Sequence, residues 1–297
     1  MYMALIPIFI IAVWADPRII TGAPAWVKPL KFAISSAIYV GTFLWLLTFV
    51  QGRQRAVRTV AGLVALSFLI ENALIGMQTP RGTTSHFNMA TPFDTAVFSI
   101  MGAVITMLSV LNLLLGIWLI RSAIPDRAVA WAVRLGMLVA FVGMITGFLM
   151  TSVPTPAQRA QMAAGQAPIS FGAHSFGVED GGPGLPFVGW STEGGDMRVA
   201  HFVGLHAMQV LPLLAWWLTR PARRRGTTET QRAAWVVIAG TAYLGWVVLL
   251  TVQALRGQSV IAPDLWTLAG LGALAGATLV AAWLVGRTQA QTIAPVR

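Results

Sequence analysis

Seven apolar runs of about 20 residues constrain this chain more than any other feature. They lie at approximately 31–51, 58–78, 95–120, 129–152, 199–219, 232–255 and 265–286. A run of that length, wound as a helix, matches the hydrocarbon thickness of a bilayer. In hydrocarbon every backbone N–H and C=O has to be paired within the protein, which leaves helices or a closed barrel. The runs do not alternate apolar with polar residues as barrel strands do, so they read as helices.

The composition points the same way. Only 10% of the 297 residues are charged and 56% are hydrophobic, against roughly 25% charged in ordinary soluble domains. The expected fold is an all-α integral membrane bundle of seven or eight transmembrane helices, one domain over 1–297. The two counts differ by residues 1–15, which are apolar but shorter than the roughly 20 residues a crossing needs. That segment has no basic n-region and no A-x-A site, so it does not read as a cleaved signal peptide. There are no cysteines, which excludes disulfides and thiolate metal sites.

The formal charge is +10, from 20 Lys+Arg against 10 Asp+Glu. In a soluble chain this would suggest nucleic acid. Here the basic residues sit in short loops, so the expected partner is the bilayer, with no nucleic acid. One set of loops carries Arg53, Arg55, Arg58, Arg121, Arg127, Arg134, Arg220, Arg223, Arg224, Arg225, Arg232, Arg287 and Arg297. The opposite set carries Arg18, Lys28, Lys31, Arg81, Arg159, Arg198 and Arg256. The excess in the first set places it in the cytoplasm. The longest connection, about 154–198, then lies outside. It is rich in Gly and Pro, and its Phe171, Phe176, Leu185, Phe187 and Trp190 suit a packed extracytoplasmic lid better than a loose tail.

All four histidines fall on the lid side: His86 after the third run, His174 in the lid, His201 and His206 early in the sixth run. Ionisable groups inside spans are costly and mark sites or pathways. Lys31, Ser35, Tyr39 and Thr42 follow helical spacing and form one polar stripe. Ser67, Glu71 and Gln78 do the same on the next helix. Glu71 lies about two turns inside its run, where a carboxylate needs a partner or a proton. His206 and Gln209 share a face. His201 and His206 are five apart, roughly 140° around the helix, so one of the two is expected as a close ligand. Glu71 and His206 are expected to face the interior of one pocket. Asp94, two residues after Pro92, also reads as a helix cap.

Three strings, DPRIITGAPAWVKPLKFAIS, IENALIGMQTPRGTTSHFNMATPFD and DGGPGLPFVGWSTEGGDMRVAHFVGLHAMQ, together resemble a group of bacterial multi-pass membrane proteins to which no activity is attached. The resemblance covers most of the chain and implies a bacterial inner (cytoplasmic) membrane protein. A second likeness is to alkaline-ceramidase-type membrane zinc hydrolases. It would cast His86, Asp94, His201 and His206 as zinc-site residues, with Ser85 nearby. That family spaces its paired histidines by four and places its serine four residues before the first histidine. Here the spacings are five and one.

The pattern supports three expectations. The first is haem or a divalent metal bound for membrane redox chemistry. His86, His201, His206 and Asp94 are then the candidate metal ligands. Lys28, Lys31, Arg81 and Arg198 would hold haem propionates, with Gln209 as a further cofactor contact and a quinone as electron partner. The second is a zinc hydrolase acting on a lipid substrate. The third is a proton-coupled transporter or a structural subunit. Glu71 and His206 are the candidate catalytic or proton-carrying groups in each.

Overall fold

The computed structural model describes residues 2–221 and 226–287. Arg223, Arg224, Arg225 and Arg297, which entered the orientation count, lie outside the described residues. The protein is an all-α multi-pass membrane bundle. In chain order its helices are α1 (Tyr2–Ala15), α2 (Val27–Leu47), α3 (Gln54–Gln78), α4 (Pro92–Arg121), α5 (Arg127–Leu149), α6 (Pro156–Ala163), α7 (Met197–Thr219), α8 (Glu229–Leu255) and α9 (Leu265–Arg287). All except α1 and α6 are long and apolar enough to cross a membrane, seven in total among the described residues.

Over the described residues α1 is shorter than a full crossing. Its 14 residues extend about 21 Å. The Tyr2 hydroxyl donates to the carbonyl of Ala65, midway along α3, at 3.0 Å. Just past the other end, Asp16 accepts from the Trp26 indole at the head of α2, at 2.8 Å. The helix therefore runs from one end of the bundle to about half depth, packing Phe9 against Leu30 and Ala33.

The helix starts are locally encoded. Thr91, Asp126 and Asp196 cap α4, α5 and α7 through side-chain oxygens. Thr155–Gln158 and Thr228–Gln231 form reciprocal capping boxes. The closest helix packing is between α5 and α7, at a glycine pair. A Cβ on Gly143 would come within 2.7 Å of the Gly204 backbone, and one on Gly204 within 2.6 Å of Gly143. The two backbones therefore touch directly. A core of Phe43, Leu46, Val64, Leu115, Leu119 and Met137, among others, fills the half of the bundle toward the arginine-rich end.

The long connection after α5 is folded onto the opposite end. Its strands β1 (Ser175–Phe176) and β2 (Gly195–Asp196) pair antiparallel. Met89 N–H donates to Ile169 O at 2.9 Å and Phe171 N–H to Phe87 O at 2.8 Å. The Ser259 hydroxyl donates to Ser191 O at 2.9 Å. These bonds tie the connection to the α3–α4 and α8–α9 turns. The turn at Thr21–Gly22 docks on it too: a Cβ on Gly22 would meet Gly181 O at 2.5 Å. Of the spaced apolar residues, Phe176 is buried, Leu185 and Trp190 are half-buried, and Phe171 and Phe187 are exposed.

Candidate functional site

Beneath the long connection, the first turns of α2 and α7 and the last turns of α3 bring ionisable groups together. Lys28 sits one residue inside α2. Its ammonium interacts electrostatically with Glu71, Asp180, Arg198 and Lys31 and with His86 and His174. Among the described residues it makes no hydrogen bond. His86, His174 and His201 are mutual electrostatic neighbours. The Phe87 ring lies against both His86 and His174, at 6.2 Å and 5.0 Å between centroids. Phe87 takes a left-handed backbone, φ 62°, which costs a non-glycine residue on the order of 1 kcal/mol or more.

Each of these three imidazoles is anchored through Nδ1. His201 Nδ1 lies 2.7 Å from the Gly143 carbonyl. A carbonyl can only accept, so Nδ1 carries the proton and Nε2 presents a lone pair. His174 Nδ1 lies 2.7 Å from Asp180 Oδ2, and a carboxylate imposes the same tautomer. His86 Nδ1 lies 3.0 Å from Ser85 Oγ. Burial holds both His86 and His174 below the usual imidazole range, and the charge of Lys28 adds to this. Burial also opposes ionisation of Asp180. Hydrogen bonds from the His174 ring and from the His174 and Ser175 amides overcome it, so the carboxyl stays below its usual range.

Glu71 is deeper, about 10 Å along α3 from its end at Gln78. It is 1% exposed, and both carboxylate oxygens are buried without a hydrogen-bond partner. The charge acting on it is that of Lys28. At the same level, the next residue, Asn72, donates to Ser36 Oγ at 2.8 Å, but its Oδ1 is unpartnered. Tyr39 and Asn112 are neighbours, yet the Tyr39 hydroxyl and Asn112 Oδ1 fall short of ordinary hydrogen-bond geometry and stay unsatisfied. Under-bonded polar groups on α2, α3 and α4 are thus found from the level of Glu71 to the apolar core, where Tyr39 packs.

Other expected site residues are engaged in pairs and contacts of their own. Arg81 pairs with Asp94 at 2.6 Å, also meets Gln78, and lies over the Phe93 ring. Asp94 accepts from Gln78 and Thr91 as well. Its oxygens are thus engaged in joining the end of α3 to the cap of α4. Arg198 is a clamp: it pairs with the fully buried Asp196 carboxylate at 2.5 Å and donates to Gly189 O at 2.5 Å. Lys31 donates to Val188 O at 3.1 Å. Gln209 donates to Thr42 Oγ1 at 3.0 Å, joining α7 to α2, and its Oε1 is buried and unpartnered.

His206 corrects the expectation of an inward-facing residue. It is exposed, on the face that also exposes Val210, Leu213 and Trp217. The 140° offset from His201 decides this, because α7 can turn only one of them toward α5. Glu71 and His206 therefore do not face one interior pocket. For the same reason His86, Asp94, His201 and His206 do not assemble as one ligand set. Among the described residues no group of three or more His, Asp or Glu is placed to hold a metal ion. His86, His174 and His201 are the nearest to such a role, each with Nε2 open.

Four polar residues that matter here carried no signal in the helical spacing. Asp180 and Asp196 reach their partners by the folding of the long connection. Asn72 and Asn112 sit singly in apolar runs, where they read as ordinary helix–helix contacts. His174, read as a plain lid residue, joins the cluster for the same reason as Asp180. No protein-family model, curated protein or solved structure matches the chain.

Proposed function

We propose that the chain is a proton-handling membrane protein of the bacterial inner membrane that passes protons across the bilayer, with Glu71 as the proton-carrying group. The observation that supports this best is the Glu71 carboxyl: buried in a membrane helix, with neither oxygen hydrogen-bonded. A carboxylate so placed is costly, and a side chain that takes up and gives back a proton relieves that cost. His86, His174 and His201 form a bank of proton acceptors between Glu71 and the lid. Lys28 favours the ionised carboxylate after the proton leaves. The under-bonded Asn72 side chain supplies a hydrogen-bonding site at the level of Glu71, and Tyr39 and Asn112 supply further ones deeper in the bundle. The lid faces the extracytoplasmic side in this reading, on the Lys/Arg asymmetry of the loops.

The test uses purified protein in liposomes holding a trapped pH dye. A potassium diffusion potential, negative inside, drives protons inward. Wild type is expected to acidify the lumen, and Glu71→Gln to cut the rate at least tenfold while eluting as the same folded species. Glu71→Asp is expected to keep part of the flux. Equal rates in wild type and Glu71→Gln, or no flux above empty liposomes, would overturn the reading.

A second reading rests on the three open Nε2 atoms. Two of these imidazoles are held in the tautomer that metal-binding histidines adopt when a carboxylate or carbonyl takes Nδ1–H. In that reading haem iron or a divalent metal takes His201 and at most one of the other two imidazoles as ligands, and serves redox chemistry with a quinone. A Soret band, or stoichiometric metal that His201→Ala removes, would select it over the first.

A further inference from the structure

A second polar feature lies at the other end of the bundle. Between the α2–α3 and α4–α5 connections is a cleft of about 310 Å³ whose lining includes Val50, Arg53, Trp118, Arg121, Ser122 and Ala123. Val50 and Trp118 are buried and form an apolar floor, while Arg53 and Arg121 are exposed. The Arg53 guanidinium lies 6.0 Å from the Trp118 ring, at the edge of cation–π reach. Among the described residues neither arginine makes an ion pair.

Two further observations add positive potential. Arg134 donates to Ser122 O at 3.3 Å, and its Nε is buried with no partner. α3 starts one residue after Arg53, with no side-chain cap bond and no acid in its first turn. The unsatisfied amides of that helix start therefore lie next to the cleft. The C-terminus of α4 acts in the opposite sense. Arg121 in its last turn and the Arg134 bond to Ser122 O offset it.

We propose that this cleft binds the phosphate headgroup of an anionic phospholipid. The ligand chemistry is a phosphate oxyanion held by two guanidinium groups. The lipid, and not free phosphate, is its source because the cleft opens at the helix ends, where headgroups lie. It also borders an apolar surface at Ile117 and Ile120, both exposed, that acyl chains would cover. Trp118 suits this level, as tryptophan gathers at membrane–water interfaces, and basic pockets between helices are a recurring headgroup site.

The experiment follows thermal unfolding of the full chain in zwitterionic detergent with added phosphatidylglycerol, phosphatidylcholine or inorganic phosphate. Phosphatidylglycerol is expected to raise the midpoint saturably, and the other two to leave it unchanged. Arg53→Gln and Arg121→Gln should each weaken the apparent affinity about fivefold. Ala123→Phe, which fills the cleft but keeps both arginines, should abolish the response even if the arginine variants fold poorly. An equal response to inorganic phosphate would overturn the lipid assignment. An unchanged phosphatidylglycerol response in Ala123→Phe, or the same loss in an Arg55→Gln/Arg58→Gln control, would overturn the site.

Discussion

At the scale of single residues, the buried charges differ in how well they are paired. Asp196 is satisfied: it caps α7, accepts from Ser191 N–H and pairs with Arg198. Asp196→Asn should therefore destabilise the protein by about 3 kcal/mol, the order found when one member of a buried pair is removed. It should also speed proteolysis within residues 160–190 (about the middle of the long connection) more than elsewhere. Glu71 has no such bonds, so Glu71→Gln should change the unfolding midpoint little while removing proton flux. His86 gives a pH prediction. Its folded-state value lies below the ordinary imidazole value, set by burial and by Lys28, His174 and His201. The unfolded chain then binds more protons below about pH 6.5. Stability is accordingly expected to fall as the pH drops through that value and to be fully present above it. His86→Gln should flatten this decline but not remove it, because His174 is depressed as well. Asp180 contributes its loss only at lower pH, below about 4. A thermal midpoint that is constant from about pH 7 to 5 would contradict this.

At the scale of elements, the α5–α7 contact positions part of the site. His201 reaches the Gly143 carbonyl because Gly143 and Gly204 let the two backbones approach. Gly143→Ala would place a methyl within 2.7 Å of the Gly204 backbone. The helices have to separate, at a cost of about 1–3 kcal/mol, and the His201 bond lengthens with them. Gly62→Ala, where nothing lies within 4 Å, is the matched control and should be neutral or slightly stabilising. If a chain with Gly143→Ala unfolds at the same temperature as wild type, the close approach is not holding this pair.

At the scale of the whole molecule, the two ends differ in build. One end is covered by the folded long connection and conceals the imidazoles. The other is rich in arginine and carries an open cleft. The absence of cysteine makes orientation directly measurable with single introduced thiols. In intact bacterial cells an impermeant maleimide is expected to label Gln166→Cys, on the exposed part of the long connection, and to label Gln54→Cys only after lysis. The reverse pattern would invert the proposed orientation and put the histidine bank on the cytoplasmic side.

The positions of the seven long membrane helices were legible in the sequence, though not whether residues 1–15 add an eighth, because solvation in hydrocarbon acts on each run separately. A run of about 20 apolar residues is a helix there whatever its neighbours do. Asp94, expected as a cap, is instead the third residue of α4 and donates its N–H to the true cap, Thr91, while the burial of Glu71 followed from its depth in an apolar run. Tertiary structure decided which polar groups meet. It turned His201 toward Gly143 and left His206 on an exposed face, since a helix packed on one side cannot bury both. It brought His174 and Asp180 beneath the bundle end through a connection with no helical periodicity to read. It also paired Arg81 with Asp94 and Arg198 with Asp196. Spacing along a helix fixes which residues share a face, whereas the identity of the facing partner depends on how separate helices pack.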